Sequence, residues 1–392
     1  MGQKILFLDQ FGNLGGGQRV LLNVLESLRS SGIEVSVALN GTGDFFKALT
    51  ASGLTVTNLP LGGLRSGRKT VKDIFLFVVR TFYCSVLIIR SVLKENFALL
   101  YANGTRTFFC AAIAGRITGR PVIWHLHNVF ASGKELRSLI FFSKWVSQII
   151  VCSEAASTPL VKARPGLSSR IQVLYNPIPY EGICLNRQRA LESLGKPALD
   201  PEFVSFGVLG RITPFKGQLE FVQAAKIALE EFPRVYFWVV GNPAPGCHED
   251  LDYQNQVEGL VKSADIDSSV FLIPHCSDIE RVYAVLDVVV LASQGPEALP
   301  MTLVEAMSLG KAIISPAQGG VKEMLEDEKT ALLVDRARSS AIADKMLELI
   351  RNPEKRRSLG ENARTRAKVQ FSRERFGREI QTIVSEALHN PV

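Results

Sequence analysis

The sequence predicts a two-domain α/β protein, each domain built on a parallel sheet covered by helices on both faces. Three observations lead there. At 392 residues the chain exceeds what one hydrophobic core usually serves. One theme also occurs twice: the strand "KILFLD" runs through "QFGNLGGG" into the helix "QRVLLNVLESLRSSG", and "FVSFGVLG" runs through "RITPFKG" into "QLEFVQAAKIALEEF". Third, short continuous apolar runs alternate with helices, as in parallel strands buried on both sides.

Each element follows from local pattern. In the first half the further strands are "EVSVAL", "ALLYAN", "PVIWHL" and "QIIVCS"; in the second they are "VYFWVV", "VFLIP", "VVVLAS" and "AIIS". A strand, a special loop and a helix form the opening unit of a doubly wound, Rossmann-like domain. The divisions expected are 1–185, 186–370 and a closing helix at 371–392, with a linker near "NPIPYEGICLNRQ", where turn-forming residues cluster. Ligands of such sheets bind beyond the carboxyl ends of the strands, so two domains facing across a cleft would hold one substrate on each wall.

Charge divides the halves. Residues 1–190 carry 22 Lys+Arg against 9 Asp+Glu, and the remainder 23 against 29. A basic N-terminal half suits an anionic partner; no nucleic-acid signature appears, so nucleic acid is not expected and an anionic membrane surface is the better candidate. The most apolar run, Ile74–Leu93, is interrupted by Arg80 and Arg90, which argues for a helix buried against the sheet with snorkelling arginines rather than a spanning segment. A second run, "KELRSLIFFSKWVSQIIVC", sets Lys134, Arg137 and Lys144 beside apolar residues, and reads either as a lipid-docking surface or as a core-facing helix with a basic side. Six scattered cysteines without a C-x-x-C pair fit neither a disulfide framework nor a zinc site, and the N-terminus lacks a signal-peptide pattern; the expected location is cytoplasmic, at most peripheral to the inner face of the membrane.

The stretch "PEALPMTLVEAMSLG" carries two glutamates eight positions apart. A helix beginning at Met301 leaves Glu297 on the preceding loop and Glu305 within the first two turns, with the unpaired N–H groups of the helix start between them. Carboxylates beside an anion site suit a sugar nucleotide; acidic residues near a helix start have the same look. Arg211 and Lys216, in "GRITPFKG", stand at a strand end where two cations suit a diphosphate, although solvated loop charges read alike. The loop at Gly15 and Gly16 permits close backbone approach but lacks G-x-G-x-x-G. His125 and His127 point to one side of their strand and do not make a zinc site by themselves. The Asp-x-Asp matches at Asp250/Asp252 and Asp265/Asp267 read as solvated helix termini. No metal or cofactor is expected.

Together "LGGGQRVLLNVLESL", "HLHN", "VCSEA", "YNPI", "GRITPFKG", "VVGN" and "PEALPMTLVEAMSLGKAIISPAQGG" resemble the retaining glycosyltransferases of family 4, with the GT-B fold, over nearly the whole chain. The resemblance implies that Arg211, Lys216 and the N–H groups of Leu299, Met301 and Thr302 hold the donor diphosphate. It implies that Glu305 holds the ribose diol and Glu297 the donor sugar, that Gly15 and Gly16 approach the donor, and that His127 meets the sugar near its reacting carbon. Gly241, Asn242, His275 and Cys276 would line the base pocket. Three departures bear on donor preference: "NPIP" lacks an aspartate, Ala298 stands where glycine is common, and "LAS" replaces Pro-Ser. The implied activity is hexose transfer from a nucleotide sugar to a glycan or lipid-linked acceptor in polysaccharide or cell-envelope synthesis; UDP-glucose is taken as the donor because it is the commonest, not because any residue selects it. The competing readings are a catalytically silent nucleotide-sugar-binding subunit, a sugar-nucleotide epimerase and, third, a nicotinamide oxidoreductase, against which the missing glycine fingerprint argues.

Overall fold

Every predicted strand forms, and each runs parallel to its neighbours. The computed structural model describes residues 3–63, 70–180, 185–196, 203–276 and 278–389. Part of the predicted linker, and Cys184 within it, lie outside these. The chain divides into two compact units, Met1–Pro177 with Arg373–Val392, and Ile178–Ser372.

Unit 1 holds seven strands: β1 (Lys4–Asp9), β2 (Glu34–Leu39), β3 (Thr55–Asn58), β4 (Leu99–Asn103), β5 (Val122–Leu126), β6 (Gln148–Val151) and β7 (Ile171–Val173). Their order is β3-β2-β1-β4-β5-β6-β7. The order reverses between β1 and β4, where Asp9 lies in register with Asn103, and Asn103 in turn with His125 on β5. Such a reversal opens the crevice in which doubly wound sheets bind ligands. Among the described residues five α-helices precede β6: α1 (Gly16–Ser30), α2 (Asp44–Ala51), α3 (Val71–Glu95), α4 (Thr105–Thr118) and α5 (Gly133–Phe142). The closing helix Arg373–His389 belongs to this unit, where Gln381 Nε2 donates to Ser27 O of α1 at 2.7 Å.

Unit 2 holds β8 (Val204–Leu209), β9 (Val235–Val240), β10 (Val270–Ile273), β11 (Val288–Val290), β12 (Ala312–Pro316) and β13 (Leu332–Val334), in the order β10-β9-β8-β11-β12-β13. Its core interleaves the strands with the helix Gln218–Glu231, and Phe206 stacks on Phe237 at 5.5 Å. Three strands had no counterpart in the sequence reading: β3, β7 and β13. All are edge strands of three or four residues, and β3 (TVTN) and β7 (IQV) carry polar residues in place of a continuous apolar run.

The apolar run at 74–93 is one helix, α3, but it is not the buried helix its composition suggested. Only one face is covered, through Thr81, Cys84, Ser85, Ile88 and Val92. Phe75, Val78 and Phe82 remain 66%, 59% and 67% exposed.

Candidate functional site

In unit 1 the carboxyl ends of β1, β4 and β5 meet the glycine loop. Helix α1 starts two residues earlier than its apolar pattern indicated, so Gly15 is its N-cap and Gly16 its first residue. The Gln18 side chain reaches back to the Gly15 N–H at 3.2 Å and donates to Asp9 Oδ1 at 2.9 Å. A Cβ added at Gly17 would stand 3.0 Å from His127 Cδ2, so the loop packs directly against that imidazole.

His127 is the end of a buried relay. Asn103 Nδ2 donates to Asp9 Oδ2 at 2.6 Å, which leaves Asn103 Oδ1 to accept from His127 Nε2 at 2.7 Å. The network therefore assigns the proton to Nε2 and leaves Nδ1 an acceptor, which has no hydrogen-bond partner among the described residues. Burial lowers the His127 pKa to about 4, so the ring is neutral near pH 7. Burial also raises Asp9 to about 6, against the hydrogen bonds from Asn103, Phe11 N–H and Gln18. His125 faces the same side, its ring 4.2 Å from that of His127, but it is fully buried and bonded to the Tyr101 hydroxyl at 2.8 Å. Burial holds its pKa well below the usual value.

In unit 2 the strand-end loops bring Lys216 and Glu297 into contact. Lys216 Nζ lies 2.7 Å from Glu297 Oε1, which also accepts from Ser293 Oγ. Gly319 and Gly320 fix the Glu297 backbone from behind: Gly320 N–H donates to Glu297 O at 2.9 Å, and a Cβ on Gly319 would lie 2.2 Å from that oxygen. The helix Met301–Ser308 follows, with Pro300 at its N-cap. Its first backbone bonds are those of Leu303 and Val304 to Pro300 O, so the N–H groups of Met301 and Thr302 precede the ladder and favour an anion. Leu299 is buried beside them. Glu305 is 8% exposed and accepts from the Tyr283 hydroxyl at 2.6 Å, which orients its carboxylate.

Arg211 extends from the end of β8 and is 57% exposed, with Nε 3.8 Å from Asp250. Asp250 corrects the sequence reading, because it is not solvated: it is 4% exposed and accepts from Ala244 N–H at 3.1 Å, whereas Asp252, Asp265 and Asp267 are exposed. Asn242 and His275 are joined, His275 N–H donating to Asn242 Oδ1 at 3.1 Å. Gly241, with φ of +150°, lies so close to Gly210 O that a Cβ would stand 1.9 Å from it. Cys276 turns to Asp278 O at 3.1 Å. Five residues that support these groups escaped the sequence reading: Asp9, Asn103, Gln18, Ser293 and Tyr283. Asp9 and Asn103 each end a predicted strand, and polar residues at strand ends in a parallel sheet were the signal available.

Two parallel-sheet Rossmann-like units, with polar clusters beyond their strand ends, are the architecture of the GT-B fold. Family models agree in both halves: Glycosyltransferase Family 4 matches residues 14–181, and Glycosyl transferases group 1 matches residues 192–366. The chain belongs to the group 1 glycosyltransferases of the family 4 type. It is 27% identical over 246 residues to spore coat protein SA of Bacillus subtilis, covering 61% of this chain and 64% of that protein. It is 26% identical over 312 residues to the capsular polysaccharide biosynthesis glycosyltransferase CapM of Staphylococcus aureus, covering 75% and 78%. Among solved structures, Anabaena Alr3699/HepE in complex with UDP-glucose shares the fold with a TM-score of 0.83 at 23% identity, over 97% of this chain and 99% of that one.

Proposed function

We propose that the protein transfers glucose from UDP-glucose, with retention of configuration, to a glycan or lipid-linked acceptor in polysaccharide or cell-envelope synthesis. Unit 2 binds the donor and unit 1 the acceptor. The observation that carries this reading is the Lys216–Glu297 pair, a partly buried cation on a carboxylate that also accepts from Ser293 Oγ, on the loop that leads into the helix Met301–Ser308. Arg211, Lys216 and the N–H groups of Leu299, Met301 and Thr302 bind the diphosphate. Glu305, oriented by Tyr283, takes the ribose diol, and Glu297 takes sugar hydroxyls. Gly241, Asn242, His275 and Cys276 line the base pocket. Gly15 and Gly16 approach the donor, and His127 meets the sugar near its reacting carbon. The CapM likeness supports the polysaccharide setting, and the fold shared with a UDP-glucose complex supports the donor.

In the proposed chemistry an acceptor hydroxyl attacks the anomeric carbon from the face that the diphosphate leaves, and a leaving-phosphate oxygen takes its proton. Fixed positive groups stabilise the charge that builds on the diphosphate, and no metal is required of them. Neutral His127 adds no positive charge beside the reacting carbon, where positive charge develops. The excess of basic residues in the N-terminal half further supports peripheral contact with an anionic membrane surface.

A thermal-shift panel of UDP-, GDP- and ADP-linked sugars, followed by product analysis, tests the assignment. Stabilisation by UDP-glucose together with UDP release is expected. Binding without turnover favours a silent sugar-nucleotide-binding subunit, and no shift with any donor contradicts the site.

A further inference from the structure

Helix α3 exposes an apolar stripe on an otherwise ordinary domain. Val71, Phe75, Val78, Phe82 and Leu93 are 59% exposed or more, and at 100° per residue they fall on one face of the helix. Lys72, Arg90 and Lys94, all exposed, flank that stripe on one side. The opposite face is fixed in the protein, with Phe77 meeting Phe109 of α4 edge-on at 6.0 Å. A helix with an apolar outer face and a basic flank suits the plane of an anionic surface.

Beside the stripe, between α3, α4 and α5, lies a cavity of about 200 Å³. Ile74, Phe77, Phe109, Phe130 and Leu139 make its wall largely apolar, and Ile74 is 51% exposed at the junction with the outer face of α3. The same wall holds Arg106, which is 8% exposed. Its Nη2 donates to Leu61 O, its Nε has no hydrogen-bond partner, and no carboxylate pairs with it among the described residues. Two acids also line the cavity. Asp73 accepts from Thr70 in the N-terminal cap of α3, and Glu135 lies in the first turn of α5. An apolar pocket that contains a buried, unpaired cation and opens beside a membrane-suited face matches an anionic amphiphile.

We propose that these features form one lipid site: the outer face of α3 rests in the headgroup region of an anionic bilayer, and the pocket takes the hydrocarbon chain of a phosphate-bearing lipid acceptor. The acceptor part rests on the glycosyltransferase reading above; the lipid site itself does not.

Two measurements on the full chain test it. In flotation with phosphatidylglycerol-containing vesicles the wild type rises with the lipid, whereas Phe75→Ser/Phe82→Ser, which alters exposed positions only, stays behind with an unchanged melting temperature. In calorimetric titration with dodecyl phosphate, the wild type binds one equivalent and Ile74→Trp, which fills the pocket mouth, binds about tenfold more weakly. The Phe75→Ser/Phe82→Ser variant keeps that binding, which separates pocket from bilayer. Absence of wild-type flotation, or equal binding by Ile74→Trp, overturns the lipid site. Displacement of dodecyl phosphate by lysophosphatidylglycerol at equal affinity assigns the pocket to bulk phospholipid and overturns the acceptor claim. Flotation and alkyl phosphate binding that persist in a protein unmoved by any sugar nucleotide would remove the donor reading and leave the lipid site standing.

Discussion

Lys216 and Glu297 neutralise one another in a partly buried setting, so each change there has two consequences. Lys216→Ala removes a preorganised positive group from the diphosphate and leaves Glu297 with Ser293 alone; steady-state kinetics are expected to show a loss of about 2–4 kcal/mol in transition-state stabilisation. Unchanged kcat/KM would exclude Lys216 from the diphosphate site. Glu297→Gln is expected to keep stabilisation by UDP while losing the extra stabilisation that the glucosyl group confers, read as the difference between two thermal shifts.

The relay from Asp9 to His127 makes a second residue-scale prediction. The folded pKa of Asp9 is raised to about 6, so its contribution to stability falls as pH rises from about 4 to 6; His127, lowered to about 4, makes a contribution that falls as pH drops from about 6.5 to 4. The two oppose one another in the wild type. Asp9→Asn leaves the histidine effect unopposed, so its unfolding free energy, read from urea titrations, should fall more steeply than that of the wild type between pH 6.5 and 4.5, by about 1–2 kcal/mol. Parallel pH profiles for the two proteins would contradict the relay's protonation states. Of this relay the sequence displayed only His127, as part of "HLHN". That Asp9 and Asn103 share a network depends on the strand order, which brings residues 94 positions apart into one register.

At the scale of elements, the central strands were legible because each is a continuous apolar run bounded by turn residues. Three of the four edge strands were not, because pairing on one side demands little of the sequence; the fourth, β10, is apolar throughout and was legible. Helix α3 shows the converse: a hydrophobic run reports apolar surface without saying whether protein covers it. The loop carrying Gly319 was visible as a glycine pair, and the structure gives its physical reason. Its φ is +58°, and Glu297 O lies 2.2 Å from the point where a Cβ would stand, so alanine at 319 must push the Glu297 loop aside. Gly319→Ala should therefore destabilise the protein by at least about 1 kcal/mol in denaturant unfolding and raise KM for the donor. A variant with native stability and native KM would show that the loop yields without cost.

On the scale of the whole molecule, two units of similar architecture carry different polar clusters: a buried, neutral-histidine relay in unit 1 and a cation–carboxylate cluster in unit 2. The repeated strand–loop–helix theme disclosed the two sheets, and the motif order disclosed the family. What the sequence left open is which surface meets a partner, because exposure is decided by packing among helices distant in sequence. The closing helix shows this too, since the last described residues of the chain complete the first unit, over α1.

The central claim is retaining transfer from UDP-glucose, and time-resolved proton NMR of UDP-glucose incubated with the protein tests it most directly. The account predicts UDP release with α-glucose, or an α-linked glucoside when acceptor is supplied, appearing first, and loss of both in Lys216→Ala. Initial formation of the β-anomer, or UDP-glucose left unchanged with acceptor present, would contradict it.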